Sequence, residues 1–209
     1  MAQFFSLHPE HPQPRLIRQA AEIMRGGGLV AFPTDSAYAL GGLTGDAELL
    51  QRIRRLRDVD ERHHFTLMCR DLSEIATFAR VDNAQYRLLK ATTPGAYTFI
   101  LEGTKELPRR VLHPKRKTIG LRVPDHPVVA ALLAELDEPI LTSTLLLPGE
   151  DLPLTDPEDI RGRLGRQVDL VIEAGYCGPE ATTVIDLTSG APSLVRAGRG
   201  DLAPFGLEE

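Results

Sequence analysis

Residues 15–42, RLIRQAAEIMRGGGLVAFPTDSAYALGG, hold the pattern that decides the fold. Leu16, Ile17, Ala20, Ile23 and Met24 recur at helical spacing and predict an amphipathic helix over 15–25. Gly26-Gly27-Gly28 end it, because glycine accepts the left-handed conformation of a helix stop. Leu29-Val30-Ala31-Phe32 then reads as a short buried strand closed by Pro33. A helix, a stop and a buried strand in direct succession are a step of an α/β sheet. The rest of the chain continues the alternation. Asp46 can cap a helix running through Leu49, Leu50, Ile53 and Leu56. Helices are expected over 72–79, 84–90, 127–136 and 157–164, and strands over 65–69, 97–101, 118–123, 140–144, 169–172, 183–187 and 194–196. The pattern does not give the strand order; mixed parallel and antiparallel pairing is expected.

With 209 residues and no linker-like stretch, the chain reads as one domain over 1–209, with a core over about 14–200, a short N-terminal strand and a C-terminal tail. A hydrophobic fraction of 42% with 25% charged residues excludes collagen, coiled coil and wholesale disorder. No apolar run approaches the ~20 residues of a membrane span. The N-terminus lacks a basic head followed by an apolar block, so a cytoplasmic protein is expected. Cys69 and Cys177 fit two reduced thiols rather than a disulfide framework or a metal pattern. The net charge of −5 is segregated. Lys105, Arg109, Arg110, Lys115, Arg116, Lys117 and Arg122 form one basic cluster, and Arg52, Arg54, Arg55, Arg57 and Arg62 another. Such clusters suit a phosphate-bearing partner or a plain solvated face.

Five segments carry chemistry. Pro33 to Gly42 follows a strand end, where ligands of open α/β sheets sit. Its hydroxyls and carboxylate either bind a small polar substrate or cap their own turn. Arg54-Arg55-Leu56-Arg57 is either a phosphate clamp or a favourable set of cations at a helix C-terminus. On a regular helix Arg55 and Arg57 diverge, and they converge only if the chain leaves the helix there. Arg122, flanked by apolar strand residues in TIGLRVP, needs an anion if it points inward. Leu141-Thr142-Ser143-Thr144 ends a strand in hydroxyls, and Thr182-Thr183-Val184-Ile185-Asp186 is followed by Val195-Arg196-Ala197-Gly198. Singly, each of these three also fits a polar residue satisfied by neighbouring backbone. Phosphate-loop, zinc-protease, nucleophile-elbow and CxxC motifs are absent from the sequence. His63 and His64, being adjacent, would point to opposite faces of a strand and make a poor metal pair.

Together and in this order, PTDSAYALG, the Thr-Pro-Gly at 93–95, TIGLRVP, and TTVIDLT with its later Val-Arg-x-Gly resemble the YrdC-like family of threonylcarbamoyl-AMP synthases, most closely its YciO branch. The resemblance implies a twisted, open mixed sheet with helices around a concave, positively charged cavity. It also implies a nucleotidyltransferase reaction: threonine and bicarbonate combine as a carbamate, ATP adenylates it, and pyrophosphate leaves. The product serves modification of tRNA adenosine 37. ATP would be a substrate with Mg²⁺, and no structural metal is expected. By motif, Thr34, Arg122, Thr142 and Thr182 would meet threonine, and Arg55, Arg57, Thr118, Thr144 and Arg196 the nucleotide. The alternative implied by the family is a double-stranded RNA-binding protein without efficient synthase activity, using Arg52, Arg54, Arg109, Arg110, Lys115, Arg116 and Lys117. A bland ligand-binding domain with neither activity is the third reading. Three positions depart from the family pattern: Arg55 stands for a lysine, Leu146 for an asparagine and Cys69 for a histidine. Nothing in the resemblance calls for a general base or a covalent nucleophile.

Overall fold

The computed structural model describes residues 1–208. Ten strands form a mixed sheet in the order β1 (Gln3–Ser6), β8 (Leu170–Glu173), β2 (Val30–Phe32), β3 (Ala39–Leu43), β7 (Ile140–Thr144), β4 (Thr66–Met68), β6 (Thr118–Arg122), β5 (Tyr97–Glu102), β9 (Thr183–Asp186) and β10 (Ser193–Arg196). Pairing is parallel at β1–β8, β8–β2, β4–β6 and β5–β9, and antiparallel at the other five junctions. The helices are α1 (Pro14–Arg25), α2 (Ala47–Arg57), α3 (Leu72–Phe78), α4 (Asn83–Thr92), α5 (Pro127–Leu136) and α6 (Pro157–Leu164). The α/β expectation and the mixed pairing are both met.

The glycine triplet stops α1 as its chemistry requires. Gly27 takes φ +83°, Gly28 N–H donates to Ile23 O and Gly27 N–H to Met24 O, satisfying two carbonyls of the last turn. The chain then enters β2, reverses through 33–38 and returns antiparallel as β3. The stretch 33–42, expected after a strand end either to bind a polar substrate or to cap its own turn, is thus a six-residue turn plus most of a central strand. Glycine and alanine have low strand propensity, which hid β3. The position nonetheless demands them: a Cβ on Gly41 would stand 3.0 Å from Ile140, Phe32 and Thr142 side-chain atoms. Asp46 caps α2 as expected, accepting from Glu48 N–H at 2.8 Å.

Strand alternation divides the sheet's two faces. Leu67, Phe99, Leu101, Ile119, Leu121, Leu141 and Ile185 lie in one large apolar cluster with α2 residues Leu49, Leu50 and Ile53. On the opposite face, α1 and α5 pack together over β8, β2 and β3 through Ile17, Ala20, Met24, Val129, Leu132 and Leu136. Each fully buried side chain there, such as Met24 or Leu132, contributes about 1.5–3 kcal/mol. Farther along, where β7, β4, β6, β5, β9 and β10 present that alternation, threonines replace the aliphatics: Thr66, Thr98, Thr142, Thr144 and, just before β9, Thr182. These residues line a cavity.

Candidate functional site

The cavity holds about 920 Å³. Its walls include Thr66 and Met68, Thr98 and Ile100, Gly120 and Arg122, Thr142 and Thr144, and Thr182 and Val184, the same-side residues of β7, β4, β6, β5 and β9, neighbours in the sheet, with Thr182 just before β9. Sheet register holds them together: Thr66 pairs with both Gly120 and Thr142, Met68 with Arg122, and Thr98 with Val184. Gly198 allows the chain after β10 to close on this wall, since a Cβ there would stand 2.4 Å from Ala181 O. The loop after β7 supplies Leu146, Asp151, Leu152 and Pro153, and the loop before β9 supplies Pro179 and Glu180.

Four arginines line the cavity, Arg57, Arg62, Arg122 and Arg196, beside two carboxylates, Asp151 and Glu180. Arg57 reaches from the last turn of α2, and its Nη1 donates to Ser143 Oγ and Thr144 O, both at 2.6 Å. Burial and the Arg196 charge pull its pKa down to about 10, so it stays cationic at neutral pH. Arg196 donates through Nε and Nη2 to Thr182 O at 3.2 and 2.9 Å, and burial lowers its pKa. Neither has a carboxylate partner among the described residues. Two desolvated cations that repel each other and face one void are a ready anion site.

Arg122 is different. It is 4% exposed, its Nη2 donates to Asp35 Oδ1, and its Nε is buried without a partner. Asp35 Oδ2 also accepts from Asp125 N–H at 2.9 Å. Burial lowers the Arg122 pKa, against the opposing pull of Asp35. The inward-pointing arginine thus has its anion, supplied by the PTD turn.

Of the expected site residues, Arg57, Arg122, Thr142, Thr144, Thr182 and Arg196 come together on the cavity wall. Three do not. Thr34 is buried behind the wall; its hydroxyl donates to Ala37 O at 2.7 Å and accepts from Ser36 N–H at 3.1 Å, so it caps its own turn. Ser36 and Ala37 line the cavity in its place. Thr118 is buried with its hydroxyl 3.0 Å from His64 Nε2. Arg55 is exposed on α2, its Nε donating to Gln51 O at 3.3 Å. The helix runs through Arg57, so the two arginines diverge, and convergence of an Arg55–Arg57 pair is corrected.

None of the residues of the expected RNA patch lines the cavity, and several of them are held by other groups. Arg52 is tied to Asp169 at 2.8 Å and Arg116 to Asp186 at 2.5 Å. Arg110 donates to Thr44 O and Gly45 O, and Arg54 stands over the Phe65 ring at 5.7 Å. Arg109, Lys115 and Lys117 are exposed near the 113–117 turn.

Among the cavity residues that sequence reasoning missed are Thr66, Thr98 and the pair His63 and His64. The two histidines precede β4 in a loop, so the opposite-faces rule for strand neighbours does not apply. His63 Nε2 is 3.1 Å from Ser143 Oγ, and burial with the Arg57 charge pushes its pKa down to about 4. His64 stacks on His113 at 4.8 Å, and burial lowers its pKa too. Cys69 and Cys177 are free and buried, and neither lines the cavity. Cys177 Sγ lies 3.5 Å from Thr34 O, bracing the PTD turn, while burial pushes the Cys69 thiol well up. No group of three or more His, Cys, Asp or Glu among the described residues could hold a metal ion. No helix among them is long and apolar enough to cross a membrane.

Comparison with known proteins places this geometry. The family model Sua5_yciO_yrdC, described as telomere recombination, matches residues 22–198. YciO of Escherichia coli K12, described as uncharacterised, is 56% identical over 205 residues, covering 98% of this chain and all of that protein. Its crystal structure superposes with a TM-score of 0.96. A threonylcarbamoyl-AMP synthase of Halorhodospira halophila is 30% identical over 185 residues, 88% of this chain and 96% of that protein. The structure of P. abyssi Sua5 complexed with L-threonine superposes with a TM-score of 0.85 at 25% identity, over 93% of this chain and 57% of that one. A match across most of the chain, in sequence and in fold, shows that the protein belongs to the Sua5/YciO/YrdC family.

Proposed function

We propose that the protein forms threonylcarbamoyl-adenylate from threonine, bicarbonate and ATP, or is a diverged paralogue with related nucleotide chemistry. The observation that supports this most is the pair Arg57 and Arg196, desolvated cations without carboxylate partners on the wall of a threonine-lined cavity. A polyphosphate supplies the charge they lack. Arg122 and Ser36 would receive the amino acid, with Thr142 and Thr182 beside them. Nucleotidyl transfer asks for positioning and charge neutralisation rather than covalent work by the protein, which fits a site built of arginines and hydroxyls. Asp151 and Glu180 on the wall do not make a metal cage, so Mg²⁺ would enter on the nucleotide's phosphates.

Incubation with ATP, threonine, bicarbonate and Mg²⁺ is expected to release pyrophosphate and give the adenylate. Arg57→Ala and Arg196→Ala are each expected to weaken ATP binding by about tenfold or more, the worth of a hydrogen bond to a charged group. Leu146 lines the same cavity and makes no hydrogen bond with a base or phosphate. Leu146→Asn is therefore expected to raise turnover. Absence of pyrophosphate release, with ATP affinity unchanged in both arginine variants, would overturn the reading.

The alternative, duplex RNA binding, draws on the exposed Arg109, Lys115 and Lys117. It has the weaker support, because Lys117 Nζ donates to Pro114 O and the remaining cations of that set are engaged by Asp169, Asp186, backbone carbonyls or Phe65.

A further inference from the structure

The substrate reading leaves His63 without a task, yet its proton inventory can be worked out from its neighbours. Arg57 Nη1 donates to Ser143 Oγ at 2.6 Å, and a guanidinium cannot accept. His63 Nε2 lies 3.1 Å from the same oxygen. Ser143 has one proton to give, and His63 Nε2 is the one acceptor within its reach among the described residues. Donation from Arg57 polarises the hydroxyl and strengthens it as a donor. A second N–H aimed at an oxygen already facing a cation is opposed. A Ser143 hydroxyl that points to Nε2 puts the imidazole proton on Nδ1.

Phe65 meets the His63 ring edge-on, with centroids 5.3 Å apart and planes at 89°, which fixes its orientation. Nδ1 is not among the buried unpartnered atoms, so it keeps solvent contact, and His63 lines the cavity. The charged and titratable groups around the ring are Arg57 from α2, Asp60 and His64 from its own loop, and Arg196 from β10. Burial and the two arginines keep the ring neutral, with a pKa of about 4, against the opposing pull of Asp60. An imidazole of low pKa has a more acidic N–H. It donates a strong hydrogen bond and does not arrive as a cation.

We propose that His63 is a neutral, tautomer-fixed donor to the bound phosphate ligand: its Nδ1–H binds a phosphoryl oxygen, with Ser143 as the positioning residue that accepts from Arg57 and donates to Nε2. This rests on the reading that the cavity takes a nucleoside triphosphate. It goes further by giving the third donor of the anion site and its protonation state. No proton is transferred; the ring enters and leaves the cycle neutral.

Nitrogen-15 spectra of the histidine rings test it directly, with His63→Gln serving to assign the signal. The Nδ1–H tautomer is expected for His63, unchanged between about pH 7.5 and pH 5.5. Ser143→Ala is expected to release the ring towards Nε2–H, whereas Ser143→Thr keeps the hydroxyl and should keep the tautomer, so a folding effect is told apart. Inorganic pyrophosphate is expected to shift the His63 signals. His63→Ala should weaken its binding by about tenfold, with partial recovery in His63→Gln, whose amide still donates. An Nε2–H tautomer in the parent, titration at an ordinary histidine pKa, or pyrophosphate that leaves the His63 signals in place would each overturn the proposal. A pyrophosphate shift in a protein that releases none from ATP would defeat the synthase reading and leave the role of His63 intact.

Discussion

Asp35→Ala is expected to destabilise the protein by about 3–5 kcal/mol, the cost of leaving one member of a buried ion pair without the other. The Arg122 and Asp35 side chains are 5% and 12% exposed, so water can replace little of what is lost. Arg122 cannot shed its charge, because a guanidinium stays protonated at any pH the fold survives. Its Nε is already buried without a partner, and removing Asp35 would strand Nη2 as well. The same deletion frees Asp125 N–H, the other donor to Asp35. Asp35→Asn keeps an acceptor oxygen and should cost less. Arg122→Met removes the cation itself and should also cost less than Asp35→Ala, since the remaining carboxylate is nearer water and keeps Asp125 N–H. Urea denaturation at neutral pH measures all three, and a double-mutant cycle gives the coupling. A small carboxylic acid such as acetate should stabilise Asp35→Ala more than the parent. An Asp35→Ala protein within about 1 kcal/mol of the parent would show that the pair contributes no more than an exposed salt bridge.

That ion pair also shows what sequence could and could not convey. An arginine inside TIGLRVP announces an inward cation, and the demand for an anion followed from burial alone. The identity of the anion did not, because Asp35 and Arg122 are 87 residues apart in sequence. Helices were legible wherever caps and apolar spacing agreed: α5 over 127–136 and α6 over 157–164 stand where the pattern put them. β3 was not legible, since its alanine and glycines are chosen for close neighbours on both sides rather than for strand propensity. The cavity wall had a signal that single residues concealed. Thr66, Thr98, Thr142 and Thr144 each look like ordinary strand threonines. Only their shared alternation with buried Leu67, Phe99 and Leu141 marks one polar half-face opposite an apolar one. The histidines were hidden for another reason. A strand rule assigns neighbours to opposite faces, but 63 and 64 lie outside β4, where loop geometry turns both towards the void. Charge clustering along the sequence says nothing of what each cation meets. Arg110 and Arg116 from one sequence cluster and Arg52 from the other are each held by a different acceptor in space.

Stability is expected to fall steeply between about pH 6.5 and pH 4, because three half-buried histidines have lowered pKa values in the folded chain. His63 has its pKa lowered to about 4, by burial first and then by Arg57. His64 and His126 are lowered as well, burial again leading. Their folded values lie below the unfolded value, so the unfolded chain binds more protons within this window. The stabilisation is therefore fully present above the unfolded pKa and is lost as pH falls towards the folded one. For His63 the span from about 6.5 to about 4 corresponds to roughly 3 kcal/mol, of which about 2 kcal/mol is gone by pH 5. His64 and His126 act in the same direction. Carboxylates contribute little between about pH 6.5 and pH 5, since they titrate lower. Asp186, with its pKa lowered by Thr188 and Arg116 against the penalty of burial, loses its share lower still. Denaturant midpoints at several pH values across this window measure the slope. His63→Gln carries no titrating ring and should show a visibly shallower slope, with the curves of parent and variant converging as the pH falls. A flat profile from about pH 7 to pH 5, or parent and His63→Gln profiles that run parallel, would mean that the His63 ring takes up its proton in the folded chain at the same pH as in the unfolded one. It would then be charged over much of this window, and the site would not hold it neutral against the Ser143 hydroxyl.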